Sequence, residues 1–367
     1  MTKNLRSLFL LLLTIGSTLT HLQAQEKKKL ENWVILPIAI FSPETDFGGG
    51  LLTMRVFKLS HADDTLTRTS NVQAYGLYTT NNQLLISPLY NIFTKGEKWI
   101  INGNIGFFQF PEYYYGIGHN APTTQEELVG YDAFRIEHRM VNQLRPHFFV
   151  GGQYRFFDFS QLKRPTNGLL DTTRVEGYNG AAVSGLGIVL LWDNRNNITY
   201  TTKGSFLELT ANFHGGILGG THQFNMFSLD ARKFWAIPFR KKHKHIIALQ
   251  FYGRSVVEGV APYKQLSELG GDVIMRGYYT GRYRDNHLIA AQAEYRLPLI
   301  GRFGAAFFVG VGDVAAQWED FAQQTPKISY GGGVRFNVNQ KETVNIRIDY
   351  GLGYQTQGLY VRLIEAF

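Results

Sequence analysis

The sequence predicts an all-β protein, a 16-stranded antiparallel transmembrane β-barrel, and three observations carry that expectation. Apolar and polar residues alternate with a period of two along most of the chain, and the alternating runs are even in number. Beyond the N-terminus there is no run of about 18 apolar residues that could form a helical span. Across 343–350, Val344, Ile346, Ile348 and Tyr350 oppose Asn345, Arg347 and Asp349. Successive strand side chains point to opposite faces, so this segment is greasy on one side and ionic on the other. Leu207, Leu209, Ala211 and Phe213 oppose Glu208, Thr210 and Asn212 in the same way. So do Ile289, Ala291, Ala293, Tyr295 and Leu297 against Gln292, Glu294 and Arg296.

Taken in order, the first 24 residues stand apart from the fold. Lys3 and Arg6 form a charged start, Leu8 to Leu19 is a short apolar stretch, and Leu22-Gln23-Ala24 ends on a small residue. This reads as a secretory signal cleaved after Ala24; the competing reading, a membrane anchor, is weakened by the break at Gly16-Ser17-Thr18. Without that segment 35 basic residues face 29 acidic ones, a net charge of +6. This mild excess suits lipid phosphates or anionic polysaccharide and is too weak to argue for nucleic acid. The chain has no Cys, which excludes zinc-thiolate sites, disulfides and cysteine nucleophiles, and its 27 Phe, 20 Tyr and 5 Trp exclude disorder. An exported protein of a Gram-negative bacterium that relies on no disulfide is compatible with both facts.

Residues 25–32, with Glu26-Lys27-Lys28-Lys29, leave only a short periplasmic linker before the barrel of 33–367. Strands are expected at 33–42, 46–60, 66–80, 83–94, 97–110, 130–143, 145–159 and 180–193. They continue at 203–216, 219–236, 244–258, 285–298, 303–317, 325–338, 341–354 and 357–367. A membrane strand needs about 9 to 11 residues, so sixteen of them leave roughly ten residues per connection and no room for another domain. With a periplasmic N-terminus, long connections should follow odd strands and tight turns even ones. The long stretches 111–129, 160–179 and 259–284 follow strands 5, 7 and 11, whereas Thr94-Lys95-Gly96-Glu97, Gln143-Leu144 and Asn339-Gln340 follow strands 4, 6 and 14. A soluble sandwich or propeller also alternates, but seldom with so many long strands behind a signal peptide. Trp33, Tyr75, Tyr78, Trp99, Trp192, Trp235 and Tyr350 are candidates for interfacial girdles. Leu359, Val361, Leu363 and the terminal Phe367 fall on one face, as in barrels that display a C-terminal aromatic to the insertion machinery.

An ordered series of motifs resembles the bacterial surface antigen barrels, the outer-membrane superfamily that includes the BamA and TamA types and two-partner secretion pores. It comprises Gly270-Gly271, Met275-Arg276-Gly277-Tyr278, Glu294-Tyr295-Arg296-Leu297-Pro298, Phe308 to Gly312, Gly331-Gly332-Gly333-Val334-Arg335 and Ile346-Arg347-Ile348-Asp349-Tyr350-Gly351. The resemblance implies that Arg276, Gly277 and Tyr278 sit on a long loop folded into the lumen, with the arginine meeting carboxylates of the inner wall. The acid common in strand 13 of the family is replaced here by Gly310, so Glu294 and Asp349, both inward by phase, are the candidate partners. Members that fold or secrete proteins usually carry periplasmic repeat domains, for which the linker leaves no space.

No Gly-x-Ser-x-Gly elbow, His-Glu-x-x-His or Walker loop is present, so neither an enzyme nor a cofactor is expected. By resemblance, the protein assists insertion or passage of proteins or lipids at the outer membrane of a Gram-negative bacterium. The alternative is a passive pore or structural barrel. Expected partners are outer-membrane lipid, lipopolysaccharide and the machinery that inserts the barrel itself; a separate periplasmic protein is a candidate, and no nucleic acid is expected. The junction of strands 1 and 16 reads two ways. Pro37 and Pro43 lack the N–H a closed ladder needs, and Gly351, Gly353 and Gly358 bring little packing, which weakens the seam; or the prolines merely mark strand ends and the seam closes normally.

Overall fold

The structure, a computed structural model, describes residues 33–60, 64, 67–122, 126–239, 243–339 and 344–367. The signal segment and linker expected at 1–32 lie outside the described residues, as does Gln340 of one expected turn. Sixteen long antiparallel strands close on themselves. The first eight are β1 Trp33–Ser42, β2 Asp46–Phe57, β3 Ser70–Thr79, β4 Leu84–Phe93, β5 Trp99–Gln109, β6 Glu127–Arg145, β7 Phe148–Lys163 and β8 Ala181–Asp193. The rest are β9 Gly204–His214, β10 Phe224–Phe239, β11 His243–Val257, β12 His287–Pro298, β13 Phe303–Ala315, β14 Lys327–Asn339, β15 Val344–Gly353 and β16 Thr356–Leu363. Each pairs with its sequence neighbours, and β16 returns to β1.

The period-two pattern decides which face meets lipid. Leu207, Leu209, Phe213, Phe227, Trp235, Leu249, Phe251, Val309 and Val311 are exposed on the outer wall, while Glu208, Asp230, Gln250, Gln292 and Glu294 turn inward. In water such a continuous apolar band would drive association; around a barrel it is the surface that lipid covers. Trp33, Tyr78, Trp192, Trp235 and Tyr350 are exposed on this wall, but Tyr75 shares the face of buried Leu77 and points into the lumen, so it is no girdle residue.

All three long connections lie at one end, and their side chains fill that mouth. Tyr114, Leu170, Tyr263 and Leu266 from these loops pack with Val129, Phe159, Val183, Phe224, Met226 and Val256 from the inner wall. Several element ends differ from expectation. β6 runs to Arg145 through an irregularity between Gln143 and Arg145, so its turn falls at Pro146-His147 instead of Gln143-Leu144. Pro146 has no N–H for the ladder, and His147 takes the turn with φ of 66°. β1 keeps its expected bounds, with Pro43 just beyond it in the turn to β2 and Pro37 inside it.

The largest correction concerns the C-terminus. β16 stops at Leu363, Ile364 takes φ of 69°, and the chain turns inward. Phe367 therefore does not share the lipid face of Leu359, Val361 and Leu363; it is buried with Phe234 and Ala248 on the lumenal side. Arg296 donates to its carbonyl oxygen at 2.8 Å, and Glu365 beside it accepts from Arg335 at 2.8 Å. A hydrogen bond, an ion pair and an aromatic contact hold the inward turn.

The arrangement of loops predicts an orientation. An epitope tag inserted at Asn167, exposed in the second long loop, is expected to be labelled on intact cells, and one at Gly96 only after permeabilisation. The reverse labelling would invert the barrel.

Candidate functional site

The connection after β11, residues 258–286, drops into the lumen and is fastened to the wall by side chains from β11 to β16. Its descent uses Gly270, Gly271 and Gly277, all with positive φ. Gly277, at φ 112°, lies against the backbone of Leu352, where a Cβ would stand 2.7 Å from the carbonyl carbon, so no other residue fits.

Arg276 is fully buried. Its Nη1 donates to Asp349 Oδ2 and its Nη2 to Glu294 Oε2, each at 2.5 Å. The guanidinium also lies over the Phe308 ring, 3.6 Å from its centre. One planar fork thus joins two carboxylates on β12 and β15 while an aromatic face covers it. Gly310 stands where the family often has an acid, and Asp313 engages His119 of the first long loop at 2.7 Å. Both acids named from the sequence are brought to Arg276.

The acids are not reserved for Arg276. Asp349 also accepts from Arg335 at 2.5 Å and Arg347 at 2.7 Å, and Glu294 from Arg296 at 2.6 Å. Asp272 on the loop accepts from Arg347 at 3.2 Å and from Arg362 at 2.8 Å. Sequence reasoning missed these arginines as members of the site, although Arg335, Arg347 and Asp349 share the inward phase of β14 and β15. The missed signal was the surplus of inward arginines over inward acids. Asp272 and Glu365 lie outside the strands, where phase says nothing.

Tyr278 and Tyr360 complete the fastening. Tyr278 donates its hydroxyl to the Ile328 carbonyl at 3.0 Å and accepts from Tyr354 N–H at 2.9 Å. Tyr360 on β16 accepts from Gly277 N–H at 3.0 Å. Gly351 and Gly353 are not the loose positions that were expected. A Cβ on Gly351 would stand 2.7 Å from the Gly277 nitrogen, and one on Gly353 2.7 Å from the Tyr278 ring, so these glycines form the floor on which the loop lies. Gly358 is enclosed too, by the Tyr360 hydroxyl and Pro43.

The same loop reaches across the junction of β1 and β16. Thr280 donates through its N–H at 2.8 Å and its hydroxyl at 2.9 Å to Glu44 Oε1 in the β1–β2 turn. Beneath this bridge the ladder is thin. β1 and β2 are in register over ten residue pairs and β15 and β16 over eight, but β16 and β1 share one, Phe41 with Val361. Pro37 sits within β1, opposite Leu51 of β2.

Comparison with known proteins agrees with this architecture. Similar solved structures include BamA from Haemophilus ducreyi lacking POTRA domains 1–3, at TM-score 0.60 and 12% identity, covering 91% of this chain and 70% of that one. CdiB from Escherichia coli matches at TM-score 0.62 and 8% identity, covering 92% and 64%. CdiB from Acinetobacter baumannii matches at TM-score 0.56 and 13% identity, covering 90% and 59%. The chain thus spans less than two thirds of either CdiB. No curated protein sequence matches it. These likenesses show the fold, and the family rests on the sequence: residues 112–363, well over half the chain, match the Omp85 superfamily domain. This protein is a bacterial outer-membrane β-barrel that belongs to the Omp85 superfamily.

Proposed function

We propose that the protein works in the outer membrane of a Gram-negative bacterium, where it passes proteins or lipids across or into the membrane through a seam between β1 and β16. The observation that carries this reading is the single residue pair joining those strands. Inside a bilayer every backbone N–H and C=O needs a partner, and a strand edge left short of them is an invitation to pair or to part. Each ladder hydrogen bond is worth about 0.5 to 1.5 kcal/mol net, so a junction with one pair opens far more readily than one with eight or ten. The loop lock bears on the same place, because it ties Tyr360 of β16 and Glu44 beside β1 to one segment. Filling of the loop-bearing mouth by Tyr114, Leu170 and Tyr263 weighs against a passive pore. The reading asks for no catalytic chemistry. Lipid and lipopolysaccharide would be its surroundings, the insertion machinery its route into the membrane, and a separate periplasmic protein its supplier of clients.

The test is a reversible lock. Phe41 and Val361 are register partners, and the chain has no Cys of its own, so F41C/V361C supplies the only possible intramolecular disulfide. In cells dependent on this barrel, oxidation is expected to raise outer-membrane permeability and deplete outer-membrane proteins or lipids, and reduction to reverse both. Complete crosslinking with an unchanged envelope would remove the lateral seam from the mechanism. Steady ion conductance by the locked barrel in planar bilayers would then put the passive pore ahead.

A further inference from the structure

Away from the loop lock, a second part of the lumen gathers more guanidiniums than carboxylates to pair them. The inward faces of β6, β7, β9 and β11 bring Arg135, Arg155, His214 and Arg254 to one cavity of about 310 Å³, closed above by Lys264-Gln265 of the third long loop. Glu137 is the one wall carboxylate there, and all three guanidiniums are near enough to act on it. Arg155 takes it as an ion pair at 2.7 Å, and Lys264 pairs with Glu112.

Arg135 and Arg254 are left over. Among the described residues neither has a carboxylate within ion-pair distance: Arg135 lies over the Phe108 ring at 4.7 Å, and Arg254 donates to the Gln265 carbonyl at 3.0 Å. The Nε atoms of both are enclosed without a hydrogen-bond partner, and so is Nδ1 of His214. His214 is only 5% exposed and is held flat against Phe224, with ring centres 4.2 Å apart, so it cannot swing away to find an acceptor. Around Arg276 single guanidinium nitrogens are enclosed without a partner as well, but there every guanidinium shares a carboxylate with a neighbour.

Two enclosed guanidiniums without a carboxylate of their own call for a counter-anion, and its geometry can be read from them. Guanidinium forks fit carboxylate and phosphate oxygens, but a carboxylate offers two oxygens to three separate donor groups. A phosphate monoester offers three, with a charge of about −1.5 to −2. We propose that this chamber binds phosphate or a phosphate ester through Arg135, Arg254 and His214, with the rings of Phe108, Tyr131 and Phe157 as an apolar shoulder for the ester's carbon. The volume leaves room for a phosphate with a substituent. The source is either free phosphate or the headgroup of a lipid. The site does not depend on whether the seam opens.

Calorimetric titration of the purified barrel in detergent tests this with two probes, inorganic phosphate and dihexanoyl phosphatidic acid, a lipid phosphate monoester. Binding of at least one is expected, weakened tenfold or more in R135Q/R254Q, and the probe that binds identifies the source. R135K/R254K keeps the charge and removes the forks; it is expected to weaken binding as well, and it serves if the glutamine variant fails to fold. Heat-modifiable mobility on gels confirms folding of each variant. Wild-type barrel that binds neither probe, or binding of equal strength in a folded variant, overturns the site.

Discussion

Replacing Arg276 with Ala is expected to leave a folded barrel whose third long loop has come loose. The side chain is fully buried between two carboxylates, and removing one partner of such a buried set costs about 3 to 5 kcal/mol, against under about 1 kcal/mol for an exposed pair. The low end applies, because the acids are not stranded: Asp349 keeps Arg335 and Arg347, and Glu294 keeps Arg296. What disappears is the loop's one ionic attachment to β12 and the cover over Phe308. Heat-modifiable migration should therefore be retained, while protease cleavage within 258–286 rises sharply. Arg276→Lys should fall between, since an ammonium is a point charge that cannot span both carboxylates with a planar fork. Unchanged protease resistance in the alanine variant would make the remaining contacts of Gly277 and Tyr278 sufficient by themselves.

What the sequence disclosed and what it hid divide along a physical line. Alternation by two is imposed by the pleat, so Ile346, Ile348, Arg347 and Asp349 declared their faces without any tertiary information, and sixteen such runs gave the barrel. The pairing of Arg276 with Glu294 and Asp349 was accessible because phase placed both acids inward and the motif placed the loop. Phase fails where a strand ends. Leu363 and Phe367 differ by an even number of residues, but the left-handed turn at Ile364 lies between them and sends Phe367 to the other side of the wall. The two prolines divide in the same way: Pro43 marks the end of β1 at the expected bound, whereas Pro37 lies within the strand, and a proline by itself does not tell the two apart. Gly351 and Gly353 were misread because the absence of a side chain looks the same in sequence whether it leaves a gap or admits another backbone.

Gly351→Val turns that last distinction into a measurement. Gly351 lies in β15 between Gly331 of β14 and Gly358 of β16, and Val is among the residues a strand favours most. If the glycine were a weak point in the ladder, Val would stabilise the barrel and tighten its closing strands. A Cβ at this position would instead stand 2.7 Å from the carbonyl carbon of Arg276 and the nitrogen of Gly277, backbone atoms that cannot yield as a flexible side chain can. Overpacking of this kind costs about 1 to 3 kcal/mol, and the cheapest relief is for the loop to leave while the strand stays paired. The expected outcome is a barrel that still shows heat-modifiable migration, with cleavage of 258–286 at least as fast as in Arg276→Ala. Combining the two substitutions should then add little, because changes that act through one shared element are not additive. Full additivity in the double variant would mean that Arg276 and Gly351 hold different things, and that the floor of glycines serves the strands rather than the loop.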